Sequence, residues 1–412
     1  MKCWNVTFQH EPSSEALRQI KQFLVFSLGM MVAKFLSVAT QILMGRKFGP
    51  EVYGQITLIM LLSSYFSMPI VNGWSLVFIK IAAKEQHIEK KYQALKSLLL
   101  IVLLCGIGVI LILAAFKQHL ATLFNITPEL MQLSLAMTFF YAWWILTKQI
   151  AQGFQRWHIY IFIENIWAII VLLGVILLIL QEQLTVATVS CVLFTGYFFS
   201  GLIFGKAVCK SIFSKINNYY SYDILSHGWF LLLNGLVGTA AFSIDRILIN
   251  KNLGIKDVGV YQAHFLSTYG IASAFMTIFF TYIFPVFCKN TNIVNFLKKI
   301  NMFQYPVTII MSAIVGGLSL WLYSFPVSIF LFLTLCLFNA VQFNVQLKTW
   351  YLVSKGANES KVALYAQMIF LSVNIIVLFI LVKHIGIAAG GVSLLIAAML
   401  SLAYLVIREI KL

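Results

Sequence analysis

Charged residues are scarce in this sequence of 412 residues: Asp, Glu, Lys and Arg make up 10% of it, against roughly 25% in a soluble domain. Hydrophobic residues make up 61%, and the mean hydropathy is +0.91. A soluble globular protein is therefore excluded. The apolar runs last roughly 20 residues, enough for a helix to cross about 30 Å of hydrocarbon, whereas barrel strands alternate over about ten residues. We predict an all-α integral membrane protein.

Acidic residues are scarcer still, with 13 Asp and Glu against 29 Lys and Arg. The basic residues lie in short loops rather than in one cluster, so we expect no nucleic-acid partner. The six cysteines are scattered, with neither a CxxC pair nor a histidine at ligand spacing, so we expect no metal site. An ATP-binding domain is also missing. The predicted energy source is an H⁺ or Na⁺ gradient, consumption of the product outside, or a partner, and we expect no other cofactor.

The apolar runs predict twelve spans in two groups of six. A segment at 1–21 precedes an N-lobe at 22–208 with spans 1–6. A linker at 209–225 leads to a C-lobe at 226–407 with spans 7–12, and 408–412 ends the chain. The spans are placed near 22–44, 55–80, 97–116, 131–153, 161–180, 185–207, 226–249, 259–287, 301–322, 326–349, 361–382 and 387–407.

Lysine and arginine are distributed unevenly between the two sets of predicted loops. With the N-terminus inside, 21 lie on the inner side and six on the outer side, the latter being Arg46, Lys47, Lys117, Lys251, Lys256 and Lys383. Short cytoplasmic loops are enriched in Lys and Arg. We therefore predict that both termini, and the linker, are cytoplasmic.

Two loops repeat one pattern. GRKFGPEVYGQ, from Gly45 to Gln55, and NKNLGIKDVGVYQ, from Asn250 to Gln262, both read basic-x-apolar-Gly-x-x-x-x-Gly with a nearby Tyr, 205 residues apart. Each loop follows the first span of its lobe, and six spans separate the two. An even number of crossings indicates a parallel repeat, whose two lobes rock about a central site.

These residues carry a family resemblance. A first span followed by GRKFGPEVYG, and a seventh span running from SIDRILINKNLG into VGVYQA, resemble the Wzx-type O-antigen and polysaccharide flippases of the multidrug/oligosaccharidyl-lipid/polysaccharide exporter superfamily. The resemblance implies a MATE-like fold with a V-shaped central cavity lined by the first two spans of each lobe. It also implies a flippase for an undecaprenyl-pyrophosphate-linked oligosaccharide in the bacterial inner membrane, a monomer among membrane lipids that docks with an O-antigen polymerase and a chain-length regulator.

Lys34 is the strongest single signal for a site. It lies near the middle of the first predicted span, where an unpaired lysine costs about 2.5–3.5 kcal/mol on insertion scales. We expect it to face a wet cavity and to bind a diphosphate as a compact cation. Asp245 and Arg246 lie late in the seventh span, where Arg246 is a second candidate for the anion and Asp245 a candidate for ion coupling. Glu164, early in the fifth span, fits a proton-responsive carboxylate or an interfacial anchor.

Neutral polar residues complete the predicted substrate site. The candidates are Asn72, Asn234, Gln262, Asn339 and Gln342, with Gln346 on the same helical face as the last two. Each of them equally fits hydrogen bonding between helices. Lys148, beside Trp144 at the end of the fourth span, fits a positive-inside residue next to an aromatic belt.

Several functions other than an oligosaccharide flippase compete on this sequence. A cation-coupled drug exporter favours acidic residues in its cavity, and a peptidoglycan-precursor flippase belongs to the same superfamily. A glycan polymerase or glycosyltransferase needs catalytic carboxylates or a large outer loop, and the predicted outer loops are short and hold few acids. We therefore expect an oligosaccharide transporter that works by alternating access, not an enzyme.

Overall fold

The computed structural model describes residues 14–289, 294–355 and 357–410, and these residues are almost entirely helical. The first thirteen residues of the predicted N-terminal segment and the last two of the C-terminal one lie outside this range. The helices are α1 (Ser14–Lys84), α2 (Ile88–Ala115), α3 (Lys117–Phe124), α4 (Pro128–Gly153), α5 (Trp157–Leu180), α6 (Val186–Leu202), α7 (Gly205–Ile212), α8 (Asn218–Ala241), α9 (Ile244–Asn252), α10 (Ile255–Phe265), α11 (Ile271–Lys289), α12 (Val294–Tyr323), α13 (Ile329–Lys355), α14 (Ala357–Ile385) and α15 (Ala388–Ile410).

The helices confirm a protein that spans a membrane many times. Ten helical segments within the described ranges, two of which join successive helices (α8 with α9, and α10 with α11), are long and apolar enough to cross a bilayer, or eleven if α6 and α7, which meet at a bend of 57°, form one span. The first candidate, Lys21–Lys84, has 64 residues, about 96 Å at 1.5 Å per residue. Because that is about three times the hydrocarbon thickness, α1 contains two helices, which join at Gly49. The count of twelve spans stays a prediction.

Large apolar side chains cover much of the outer surface. Leu104, Phe35, Trp321 and Phe379 are 60–74% exposed, as lipid-facing residues of a membrane protein are. The polar side chains of the spans are instead mostly buried between helices. The outer surface of the protein is therefore apolar, and the polar side chains that could bind a ligand lie inside.

We refer to α1–α7 as the N-terminal half and to α8–α15 as the C-terminal half. In the N-terminal half α1 packs on α4 and α5, and in the C-terminal half α15 packs on α13 and α14. Helix α1 also contacts α8, α10 and α11 of the other half. The predicted linker at 209–225 overlaps the end of α7 and the start of α8, and the division into lobes at those residues stays a prediction.

The repeated loops adopt the same backbone conformation. Gly49 has φ 73° and ψ 173°, and Gly254 has φ 106° and ψ 172°. This region of backbone space is essentially restricted to glycine. The first glycine of each loop therefore makes a turn that other residues resist.

Candidate functional site

A cavity of about 720 Å³ lies between the two halves. Residues from both arms of α1 line it on one side and residues of α8 to α11 on the other, with contributions from α4, α6, α13 and α14. A volume of this size is in the range of ligand-binding clefts. Hydroxyl, amide and aromatic side chains dominate its wall.

The cavity wall is built from equivalent positions of the two repeats. Seven pairs of residues that differ by 205 in number, the spacing of the two glycine loops, line it together: Ser37 and Phe242, Gln41 and Arg246, Thr57 and Gln262, Leu61 and Leu266, Ser64 and Tyr269, Asn72 and Thr277, and Tyr141 and Gln346. Both halves thus present equivalent positions to the centre. The chemistry differs at one pair above all, because a neutral amide in the first half corresponds to a guanidinium in the second.

The halves touch at the loops and again farther along the second arm of α1. A Cβ built on Gly54 would overlap the carbonyl oxygen of Ile255, and one built on Gly259 would overlap that of Pro50. Away from the loops, Trp74 lies against Gly228, and the Asn72 amide lies against Gly235. The central cavity therefore lies between two interfaces, and at each of them glycine residues allow the two halves to approach closely.

Arg246 is the one residue with a full charge in the described wall of this cavity. Its Nη1 lies 3.0 Å from Oδ1 of Asp245, its Nε donates to Oε1 of Gln262 at 2.6 Å, and its guanidinium stacks 3.9 Å from the ring centre of Phe265. Asp245 is fully buried and also accepts a hydrogen bond from the Tyr261 hydroxyl at 2.5 Å. Arg246 is thus held in place by a neutralising carboxylate.

A second charged group joins α1, α4 and α5. Lys148 Nζ donates to Oε1 of Glu164 at 2.8 Å, and Lys34 Nζ lies 3.7 Å from Oε2 of the same carboxylate. Lys148 also stacks on Trp144, 3.3 Å from its ring centre. The expectation that Lys34 is unpaired is therefore wrong, and this group as a whole has two ammonium groups on one carboxylate.

Close helix packing brings Lys34 and Glu164 together. A Cβ on Gly29 would lie 2.6 Å from Cγ2 of Ile161, so the small residue lets α1 approach α5. Asn165 then donates to the carbonyl of Gly29 at 2.9 Å. Glu164 itself is 1% exposed, which rules out the interfacial-anchor reading. Lys148 is likewise buried, so it does not occupy the exposed position at a membrane interface that the sequence predicted.

Lys34 lies where a polar pocket meets an apolar groove. The pocket, about 180 Å³, shares Ser37, Gln41, Leu266, Ser273 and Thr277 with the central cavity and therefore adjoins it. The groove, about 320 Å³, runs between α1, α11 and α12 and is lined almost entirely by aliphatic and aromatic side chains, with Phe35 74% exposed at its edge. A π-helix at Leu266–Gly270 borders the pocket; such insertions often occur at functional sites.

The other predicted residues divide into two sets. Asn72, Asn234 and Gln262 line the central cavity. Asn339 and Gln342 do not: both are fully buried within the C-terminal half, where Asn339 donates to Ser312 at 2.8 Å. Gln346, one turn beyond Gln342, does line the cavity. The structure thus places most of the predicted polar residues together and sets two of them apart.

Several residues of the wall were missing from the predicted set. Gln41 is the repeat equivalent of Arg246, and subtracting 205 from each candidate would have found it. Five aromatic residues, Tyr141, Tyr197, Phe242, Tyr269 and Trp350, also line the cavity. Sequence alone does not distinguish them from the many aromatic residues of the core. Among the described residues, no group of His, Cys, Asp and Glu is placed to hold a metal ion.

Comparison with known proteins gives a family match and fold matches. Residues 20–291 match the family model described as "Polysaccharide biosynthesis protein". The structure is similar to a MOP superfamily transporter from Pyrococcus furiosus (TM-score 0.69, 14% identity, 95% of this chain and 96% of that one) and to an outward-facing multidrug MATE transporter (0.68, 14%, 95% and 96%). It is also similar to the lipid II flippase MurJ in an inward closed conformation (0.60, 16%, 94% and 88%). The search of curated protein sequences produced no match. The predicted MATE-like transporter fold is confirmed.

Proposed function

The chain belongs to the polysaccharide biosynthesis protein family, and from this premise we propose that it is a flippase for an undecaprenyl-pyrophosphate-linked oligosaccharide, such as an O-antigen repeat unit. It carries this lipid by alternating access from the cytoplasmic to the periplasmic leaflet of the bacterial inner membrane. The observation that carries the proposal is Lys34, a cation at the junction between a lipid-facing apolar groove and a polar cavity.

The three parts of the proposed substrate correspond to three parts of the site. The apolar tail stays in the groove along α1, α11 and α12. The diphosphate binds at Lys34, because an ammonium group suits a compact anion. The glycan enters the central cavity, whose amides and hydroxyls bond its hydroxyl groups and whose aromatic faces stack on its rings. Only the last two parts resist crossing hydrocarbon, and only these two are placed inside the protein.

The excess positive charge of the site lies at Lys34 rather than at Arg246. With ordinary charges at neutral pH, Asp245 neutralises Arg246. The group of Lys34, Lys148 and Glu164 has one more positive than negative charge. We therefore assign the diphosphate to Lys34 and give Arg246, with Gln262, Asn72 and Asn234, the role of hydrogen bonding the glycan.

The alternatives fit the cavity less well. A drug exporter that binds organic cations favours an acidic cavity, whereas the described wall contains an arginine and no carboxylate. A peptidoglycan-precursor flippase has a similar lipid diphosphate to bind, and MurJ has the same fold. The family match to polysaccharide biosynthesis favours a polysaccharide substrate over that precursor. A polymerase or glycosyltransferase is disfavoured by the transporter fold.

The remaining parts of the proposal concern energy and surroundings. Asp245 and Glu164 are the candidate carboxylates for coupling to H⁺ or Na⁺; both are buried and paired with cations, and protonation of either would free its partner. The termini are assigned to the cytoplasm on the distribution of Lys and Arg. The protein acts as a monomer, and a polymerase and chain-length regulator receive its product.

The test uses Lys34→Ala and Lys34→Arg in a strain that lacks the flippase. We expect Lys34→Ala to abolish surface glycan with normal protein in the membrane, and Lys34→Arg to retain part of it because the charge remains. Lys47→Ala, an exposed lysine of the same helix, is the matched control and should behave as wild type. Surface glycan at the wild-type level in Lys34→Ala overturns the role of Lys34.

A second measurement tests the substrate. Purified protein in proteoliposomes should move a fluorescent lipid-linked oligosaccharide between leaflets. Export of a cationic dye without movement of the lipid would overturn the proposed function. Transport that ignores both H⁺ and Na⁺ gradients would remove the coupling roles of Asp245 and Glu164 while leaving the flippase intact.

A further inference from the structure

Glu164 holds its two lysines unequally. Lys148 donates a hydrogen bond to Oε1 at 2.8 Å, whereas Lys34 lies 3.7 Å from Oε2, within ion-pair range but beyond a hydrogen bond. Oε2 is buried and has no hydrogen-bond partner among the described residues. Lys148 is therefore the fixed partner of the carboxylate, and Lys34 is a loosely held one.

The two lysines also differ in what else they touch. Lys148 is enclosed, with 9% of its side chain exposed, and Trp144 covers its ammonium group. Lys34 has 27% of its side chain exposed and lines both the polar pocket and the apolar groove. Only Lys34 is therefore within reach of a ligand in either space.

We propose, on the basis of the proposed function, that Lys148 and Glu164 are positioning residues that set the charge which Lys34 presents to the diphosphate. In the empty transporter Glu164 acts as a resident anion that orients Lys34. When the diphosphate arrives, Lys34 turns to it, and Lys148 keeps the buried carboxylate compensated. Without Lys148, Glu164 would hold Lys34 as its only counter-ion, and the site would have no excess charge.

This assignment makes the affinity follow the net charge of the group rather than any one residue. Wild type has an excess of one positive charge, Lys148→Met has none, and Glu164→Gln has two. The double variant Lys148→Met/Glu164→Gln returns to one. Because Lys34 is partly exposed, water screens each change, and we expect about tenfold in affinity for each charge rather than the far larger factor of a dry site.

The experiment measures binding of farnesyl pyrophosphate to the full-length purified protein at several salt concentrations. We expect Glu164→Gln to bind about tenfold tighter than wild type, Lys148→Met about tenfold weaker, and the double variant near wild type. The dependence of the affinity on salt should be steepest for Glu164→Gln and shallowest for Lys148→Met. Lys34→Met added to Glu164→Gln should abolish the gain.

A purely structural role for the Lys148–Glu164 pair gives a different result. It predicts that both single variants lose thermal stability and that Glu164→Gln gains no affinity. That outcome overturns the inference, and it can be read from Glu164→Gln and the double variant even if Lys148→Met fails to fold. Failure of the wild-type protein to bind farnesyl pyrophosphate, with binding of an uncharged prenyl alcohol instead, would count against the proposed anion site itself.

Discussion

The backbones of Gly54 and Gly259 are in contact across the boundary between the two halves: a Cβ on Gly54 would lie 3.2 Å from the backbone nitrogen of Gly259. The contact is reciprocal, because Gly54 lies against Ile255 and Gly259 lies against Pro50. These four residues form two pairs separated by 205 positions. Such an exchange is what a two-fold axis between repeats produces. The repeated loop therefore makes a symmetric contact with its own copy at one end of the cavity.

Gly259→Ala and Gly54→Ala should separate the halves at this end. Each added methyl group would overlap a carbonyl oxygen of the other half, and a backbone atom cannot move aside as a flexible side chain can. We expect the cavity to open at the loops and transport to fall by at least tenfold. Spin labels at Glu51 and Lys256, exposed equivalents in the two loops, would report longer distances by pulsed electron paramagnetic resonance.

Gly108→Ala is the matched control for this prediction. Gly108 lies in helix α2, and a Cβ on it meets nothing within 4 Å, so the change should be neutral or slightly stabilising, since alanine has the higher helix propensity. An unchanged distance distribution in Gly259→Ala, together with normal transport, would show that the loops do not have to touch in this way.

The sequence predicted the class of fold and the repeat more successfully than the orientation of individual side chains. The two glycine loops could be recognised in the sequence because a tight turn requires glycine at fixed positions. Both copies of the repeat therefore keep the same spacing of glycines. Asn339, Gln342 and Gln346 share one helical face, yet only Gln346 lies in the wall of the cavity. Helical spacing predicts which face of a helix carries the polar residues. It does not predict at which depth along the helix the other half of the protein leaves that face exposed to the cavity.

Lys148 is a second residue whose surroundings the sequence did not predict. Its place near the end of an apolar run, among aromatic residues, is typical of a membrane interface. The structure shows it buried, with Trp144 over its ammonium group and Glu164 supplying its counter-ion from α5. Glu164 lies on α5, which forms a helical hairpin with α4. Span boundaries predicted to within a few residues do not determine which side chains of the two helices meet.

Gln342→Met and Gln346→Met should separate structural from substrate-facing polar residues. Both amide atoms of Gln342 are buried without a hydrogen-bond partner among the described residues, and such groups cost about 1–3 kcal/mol each. We therefore expect Gln342→Met to leave transport unchanged and to raise the melting temperature in detergent. Gln346→Met removes an amide from the cavity wall and should lower transport several-fold with little change in melting temperature.

The reverse pattern would contradict this division of the α13 stripe. If Gln342→Met lost transport while Gln346→Met did not, the substrate would meet α13 one turn away from the position that now lines the cavity. Because Gln342 and Gln346 share one face, that result would indicate a shift along the helix during transport, and the two variants would need to be compared in a second conformation of the protein.

The last prediction concerns Asp245 and Arg246, which the structure pairs inside the cavity wall. Arg246→Gln copies the residue that the first repeat has at Gln41, but it leaves the fully buried Asp245 without its cation. Removing one member of a buried ion pair costs about 3–5 kcal/mol. We expect Arg246→Gln to reach the membrane at a much reduced level, and Asp245→Asn/Arg246→Gln to recover, because the double variant removes both charges together.

The recovered double variant then tests the role assigned to Arg246. Because Asp245 already neutralises the guanidinium, the double variant should keep the wild-type affinity for farnesyl pyrophosphate and its dependence on salt. Its transport of the complete lipid-linked oligosaccharide should be several-fold slower, since guanidinium donors to the glycan and a candidate coupling carboxylate are both lost. A loss of diphosphate affinity as large as that of Lys34→Ala would instead place the diphosphate at Arg246. The anion site would then lie in the central cavity and not in the polar pocket at Lys34.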